Sequence, residues 1–303
     1  MIHCRQAGSL NRMRYIFSLL AATMLLINAG VALAATTRQT YWKGSSGDYR
    51  VEWSNADLEA SNTKTGKTVF SARAIARANF ALAQTNFKPG DVYEEDYELL
   101  SLVGDIMSIE YHARLPLQNG SKSAKSKDAS STGITRYVAI DLRSPQGEIR
   151  RLTSNQVEPD ADQNLVNLSD LFGAKEALTA FNNDTIIQST IDTATVTSLP
   201  DLVKSLNGKN LPAPDMCGRF DNFLLNEFAV HHLRGTKAAV RLGISGTDPR
   251  PELLSELGLV LPIPEAWQAR FLLASQGKEG VLMSTLKRKS TKTGTHFKFK
   301  FAP

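Results

Sequence analysis

Met107-Ser108-Ile109-Glu110-Tyr111-His112-Ala113 alternates apolar and polar side chains over seven positions. A period of two sends successive side chains to opposite faces of a strand, so the stretch reads as a half-buried antiparallel strand within Leu99 to Leu117. Arg136 to Leu142 is a second strand, and Gln118 to Thr135, rich in Ser, Lys and Gly, reads as a mobile loop between them. The simplest arrangement of the three is a hairpin.

Working outward toward the N-terminus, Tyr49 to Trp53 alternates in the same way, and Asn62 to Lys67 is a turn ahead of Thr68-Val69-Phe70. Ser71 to Gln84 is Ala-rich, with Ala74, Ile75, Ala78 and Leu82 near helical spacing, which predicts a helix packed on that hairpin. Toward the C-terminus, Ser169 or Asp170 can cap a helix running to Phe181, and Ser198, Pro200 and Gly208 mark another. Phe220 to Leu233 has strand character. Pro251 to Leu257 reads as a short helix stopped by Gly258, Leu259 to Ile263 as a brief strand, and Pro264 to Gly277 as a last helix. Strands arrive in runs rather than alternating with helices. The expected class is α+β, a largely antiparallel sheet with several short helices packed on one side. Residues 35–160 would form an N-terminal half and residues 161–303 a C-terminal half, sharing one sheet-based core.

The 303 residues, 42% apolar and 21% charged, are those of a globular chain and exclude a disordered or collagen-like one. Residues 1–34 carry the marks of a secretory signal peptide: Arg5, Arg12 and Arg14 without an acid, an apolar run from Ile16 to Val31, and Ala32-Leu33-Ala34 as a small-x-small cleavage site. The run is shorter than the roughly 20 residues that a membrane span wants. Export to the periplasm or beyond is therefore expected, without a stable membrane anchor after cleavage. Removing those 34 residues takes three Arg and lowers the formal charge from +5 to +2. What remains is uneven. Lys287, Arg288, Lys289, Lys292, Lys298 and Lys300 follow residue 280 with no acid among them. Lys287, Arg288, Lys289, Lys298 and Lys300 are the candidate binding residues, a surface that could meet a polyanion. The competing reading is an edge strand protected by Lys, since Phe297-Lys298-Phe299-Lys300-Phe301 alternates strictly. Nucleic acid is a poor partner for an exported chain.

Catalytic and cofactor signals are sparse. Ser61 to Thr68 resembles the end of a phosphate-binding loop, but its β-branched continuation favours a hairpin turn over a helix N-terminus. His112, His231, His232 and His296 have no metal-binding spacing, and on a regular strand His231 and His232 point to opposite faces. Asp91 to Glu98 reads as a solvated acidic loop lacking the order of an EF-hand. Cys217, the only thiol after cleavage, reads as buried and inert, with an intermolecular disulfide as the alternative. No G-x-S-x-G nucleophile elbow occurs. No catalytic residue, metal ligand or cofactor is assigned.

The strands Ile106 to Leu115 and Arg136 to Arg143, the turn Ser144 to Glu148, the stretch Asn167-Leu168-Ser169-Asp170-Leu171-Phe172 and the late Leu259 to Pro264 resemble the extracytoplasmic DUF3298/RsiV-type domain family. The resemblance spans roughly residues 95–275. That family includes lysozyme-sensing anti-sigma factor ectodomains and accessory modules of cell-wall deacetylases. The resemblance implies an α+β module contacting a protein, such as lysozyme, or peptidoglycan outside the membrane. With neither a sigma-binding segment ahead of the apolar run nor a deacetylase domain in this sequence, the expected function is a free-standing cell-envelope binding protein. The alternative is a cell-wall or polysaccharide hydrolase using paired carboxylates, and a third reading is an assembly component pairing through its Lys-fringed C-terminal strand.

Overall fold

Alternation is what builds the fold. A computed structural model of the chain describes residues 37–83, 88–116, 131–144, 165–173, 182–184, 186–187, 227–244, 255–286 and 294–301. The chain divides into Met1–Arg38 and Gln39–Pro303, and every element below lies in the second unit. Strands β1 (Thr40–Ser46), β2 (Tyr49–Ser54), β3 (Leu58–Asn62) and β4 (Thr68–Ser71) form an antiparallel meander, and α1 (Ala72–Ala83) follows at once. The turn at Asn62 is closed by its own side chain, whose Oδ1 accepts the backbone N–H groups of Lys64 and Thr65 at 3.0 Å.

Strands β5 (Val92–Val103), β6 (Ile106–Pro116) and β7 (Ser131–Asp141) make the expected long antiparallel pairing. Val103 pairs with Ile106, so Gly104 and Asp105 alone turn the chain, with Gly104 at φ +57°. A Cβ there would lie 2.9 Å from Arg270 Cδ, so packing as well as the backbone calls for Gly. After α2 (Leu168–Phe172) come β8 (Asn182–Asn183), β9 (Phe228–Arg234), β10 (Lys237–Ile244) and β11 (Ser255–Pro262), ordered β8-β11-β10-β9 in a third sheet. Helix α3 (Glu265–Ser275) and a 3-10 turn at Met283–Thr285 precede β12 (Thr295–Lys300). That last strand returns to the middle sheet and pairs with β5, giving the order β12-β5-β6-β7.

Two cores result. One face of the middle sheet, with Leu99, Met107, Ile109, Tyr111, Val138 and Ile140, packs against Val51, Trp53, Leu58 and Phe70 of the first sheet and against α1. The second core joins Val240, Leu242, Leu257, Leu259 and Leu261 of the third sheet to Leu171 and Phe172 of α2 and to Phe271 and Ala274 of α3. Each fully buried aliphatic or aromatic side chain contributes about 1.5–3 kcal/mol. The antiparallel character stands as expected. Several helices on one side do not: among the described residues there are three α-helices, divided between two cores, because each sheet has its own apolar face to cover.

Other expectations are corrected. Asp91 to Glu98 is not a loop, since β5 begins at Val92 and alternation buries Tyr93, Glu95 and Tyr97 on one face. Ser255 to Leu257 belongs to β11 rather than a helix, and Gly258 lies within that strand, where the Asp184 Cβ would be 3.2 Å from an added Cβ. Ser131 to Thr135, expected in the loop, is already strand β7. Helix α2 starts one residue earlier than Ser169, and Asp170 acts from inside it, its Oδ2 accepting the Asn167 backbone N–H at 2.9 Å. The expected signal peptide, Cys217, residues 118–130, the helix expected at residues 198–208 and the Glu148 to Leu152 segment lie outside the described residues. Among the described residues no helix is long and apolar enough to cross a membrane.

Candidate binding face

The alternation of β12 decides where its cations point. Phe297, Phe299 and Phe301 turn inward, Phe299 stacking on Phe80 of α1 at 4.8 Å and Phe297 meeting Tyr97 edge-on at 5.9 Å. His296, Lys298 and Lys300 therefore stand on the opposite face, exposed, on the edge strand of the middle sheet. Lys287, Arg288 and Lys289 lie outside the described residues.

Cross-strand register arranges this face in rows. In the first, Lys298, Glu94 and Arg114 are neighbours: Lys298 Nζ is 2.7 Å from Glu94 Oε1 and Arg114 Nη1 is 3.6 Å from Oε2. The hydrogen bond from Lys298 holds the Glu94 carboxyl below the usual range against the effect of partial burial, with the charges of Lys298, His296 and Arg114 adding to it. The second row is His296, Asp96, His112 and Thr135. His296 Nδ1 lies 2.7 Å from Asp96 Oδ1, His112 Nδ1 lies 2.8 Å from Thr135 Oγ1, and Arg114 Nε donates to His112 Nε2 at 3.1 Å.

The third row is Glu98, Glu110 and Tyr137. Here the third sheet closes over the face. The Tyr137 hydroxyl donates to Glu256 of β11, which is also 3.4 Å from Arg241 Nη2. Arg136 Nε binds Glu227 Oε1 at 2.7 Å, and the Val230 N–H donates to Ser101 Oγ at 3.2 Å. Burial and the neighbouring Glu256 and Glu110 charges push the Tyr137 hydroxyl pKa well up. The seam between the two sheets is thus polar around a small apolar cluster of Leu100, Tyr137, Ala229 and Met283.

On the reverse side of β5 lies a fully buried carboxylate. Glu95 Oε1 accepts from Asn79 Nδ2 of α1 at 2.8 Å, from the Tyr111 hydroxyl at 2.8 Å and from the Tyr93 hydroxyl, while Oε2 accepts from the Tyr97 hydroxyl at 2.6 Å. Four donors satisfy one carboxylate, as a buried charge requires. Burial first, and then the Glu95 charge, raises all three tyrosine pKa values. This carboxylate is fully buried, and its hydrogen bonds tie α1, β5 and β6 together.

A further polar cluster sits on the third sheet. Asp184 is buried; its Oδ1 accepts the N–H groups of Ile186 and Ile187, and its Oδ2 lies 3.3 Å from Arg234 Nη1 and 3.7 Å from His232 Nε2. Burial pushes the Asp184 carboxyl up, but those N–H groups together with the neighbouring His232 and Arg234 more than offset it, so the net shift is downward. His231 and His232 do not point to opposite faces. The register of β9 on β10 shifts by a bulge between Ala239 and Val240, and the two Nδ1 atoms come to 2.9 Å, one donating to the other. Among the described residues no group of three or more His, Cys, Asp or Glu is gathered to hold a metal ion.

The predicted cations Lys298 and Lys300 are thus brought beside His296, Glu94, Asp96, His112 and Arg114, none of which the sequence singled out as one surface. The signal was present: polar positions 94, 96 and 98 of β5 fall in register with 110, 112 and 114 of β6. No protein-family model matches the sequence, and no curated protein and no solved structure is significantly similar to it.

Proposed function

We propose that the chain is an exported cell-envelope binding protein that recognises an envelope protein or peptidoglycan through the polar face of its middle sheet. The observation that carries this reading is the cross-strand pairing of charge. Glu94 is clasped by Lys298 and Arg114, and Asp96 is hydrogen-bonded to His296, so charged and polar side chains are held in a fixed pattern before any ligand arrives. A carboxyl held ionised by two cations suits recognition better than proton donation, which calls for a raised pKa. The sequence signals for export and the resemblance to extracytoplasmic DUF3298/RsiV-type domains point the same way.

Retention on purified sacculi and on immobilised lysozyme, compared between the natural chain and a Lys298→Glu, Arg114→Glu variant, tests the reading. Retention on either bait that the double variant loses supports it; no retention on either sinks it. One arrangement favours the hydrolase alternative: Glu98 and Glu110 stand directly opposite on β5 and β6, where Cβ atoms are about 4.5–5.5 Å apart. Release of soluble sugar from sacculi, abolished by Glu98→Gln or Glu110→Gln, would establish that reading instead.

A further inference from the structure

The outer edge of β12 carries a row of main-chain groups with no strand beside them. Phe301 bonds back to the middle sheet, its N–H donating to the Asp91 carbonyl and its C=O accepting from the Gly90 N–H, both at 3.0 Å. The register with β5 runs from Thr295 to Lys300 without a bulge, and along an antiparallel ladder residues alternate between bonding inward and outward. Phe299, Phe297 and Thr295 therefore bond toward β5. The N–H and C=O groups of His296, Lys298 and Lys300 point away from it. Among the described residues no strand meets them, since β12 ends the order β12-β5-β6-β7.

Cations flank that edge on both faces of the sheet. Lys298 and Lys300 stand exposed on the polar face. Lys298 is held by Glu94, but Lys300 lies opposite Val92 and forms no ion pair among the described residues. On the other face Phe297 and Phe299 are half-buried, with Phe80 of α1 stacked on Phe299. Arg73 of α1 lies 6.0 Å from the Phe297 ring centre, and Arg77, one turn further along the helix, is exposed as Arg73 is. The edge thus offers an aromatic shelf beside arginines on one face and ammonium groups on the other.

We propose that the outer edge of β12 receives an extended acidic segment of a partner protein as an added antiparallel strand. The proposal rests on the binding reading above and names the partner's chemistry. Acids of the added strand face Lys298 and Lys300, and its alternate apolar side chains lie on Phe297 and Phe299. The inner neighbour of β12 already has this chemistry, since β5 sets Glu94 opposite Lys298 and Tyr93 opposite Phe299. A second copy of the strand is a poor occupant. In any antiparallel self-pairing that keeps like faces together, Lys298 meets itself, Lys300 or His296, and no acid is supplied. The chain's own Lys287 to Thr293 stretch is basic and unsuited for the same reason. Lysines on an edge discourage pairing in general, so the fringe admits acidic strands and rejects others.

The test titrates the full chain into a fluorescent peptide, Ser-Val-Glu-Val-Glu-Val-Glu-Val-Ser, and follows anisotropy. Saturable binding is expected. Exchanging the Glu residues for Lys should weaken it at least about tenfold, because cross-strand attractions become repulsions. N-methylation of the Glu residues removes the N–H groups that face β12 and should weaken it about tenfold, whereas N-methylation of the Val residues, at equal charge, should be harmless. In the protein, Lys300→Gln should weaken binding about threefold at an unchanged melting temperature. No binding up to about 1 mM, equal binding of the Lys peptide, or equal effects of the two methylations would overturn the proposal. A dimer by sedimentation that Lys300→Gln strengthens would overturn it in favour of a second copy. Retention on sacculi or lysozyme without peptide binding strikes the added strand alone, and loss of all three strikes the binding reading as well.

Discussion

Removing the carboxylate of Glu95 is the sharpest test of what holds the middle sheet together. Its two oxygens accept four hydrogen bonds, from Asn79, Tyr93, Tyr97 and Tyr111, inside a region from which solvent is excluded. In Glu95→Ala, three hydroxyls and an amide lose their acceptor together. Each buried donor left unsatisfied costs about 1–3 kcal/mol, so even at the low end the loss is about 4 kcal/mol before the cavity is counted. Glu95→Gln is isosteric and keeps an acceptor at the Oε1 position, where three donors converge. It loses charge assistance, which roughly doubles the strength of such bonds, and it turns Tyr97 from donor into acceptor, for a loss of about 2 kcal/mol. Asn79→Ala removes one bond of the four and the tie from α1 to β5, for about 1 kcal/mol. Urea unfolding measures all three, with the slope checked so that a midpoint shift reports stability. The predicted order is Ala, then Gln, then the Asn79 variant. If Glu95→Gln proved neutral or stabilising, desolvating the charge would outweigh its four bonds, and the reasoning would fail.

The buried tyrosines make stability fall on the alkaline side. Tyr93, Tyr97, Tyr111 and Tyr137 have raised pKa values in the fold, so their contribution is complete below about pH 10, where unfolded tyrosine titrates, and is lost as the pH rises beyond it. Phenolate absorbance should therefore appear for these four only as the chain unfolds, and their early titration in a folded protein would contradict the burial. Tyr137→Phe breaks the bond to Glu256 across the seam and should lower stability by about 1–2 kcal/mol by urea unfolding, while leaving the Glu95 network's near-ultraviolet signal in place. Gly280 has φ +77°, and an added Cβ would stand 2.1 Å from the Leu102 carbonyl oxygen, so Gly280→Ala should cost about 3 kcal/mol or more; a change under 1 kcal/mol would show that this crossing can relax.

Much of the fold was legible where one local signal sufficed. The period of two in β6 and β12, the Asn62 turn and the apolar spacing of α1 and α3 each follow from the geometry of a single element. The errors fall where a distant partner decided. Pro251 to Leu257 looked helical because its leucines suit either state, and pairing with β10 settled Ser255 to Leu257 as strand. Acid density made residues 91–98 look like a loop, although Tyr93, Glu95 and Tyr97 share one face; the tyrosine hydroxyls that make a buried glutamate tolerable come from two strands. His231 and His232 were separated by the rule for a regular strand, and a bulge, which depends on the partner strand, brought them together.

By itself the sequence determined the antiparallel character, the inward and outward faces of β6 and β12, and the position of Lys298 and Lys300 on an outward face. Those properties depend on residues two to four positions apart, where backbone geometry leaves few choices. Only the tertiary structure decided that β12 returns to β5, and with it that Lys298 meets Glu94, that His296 meets Asp96, and that α1 is tied to a carboxylate beneath them. Alternation says which way a side chain points but not which strand lies beside it. That choice is made by the burial of whole sheet faces and by the pairing of backbone hydrogen bonds across about two hundred residues.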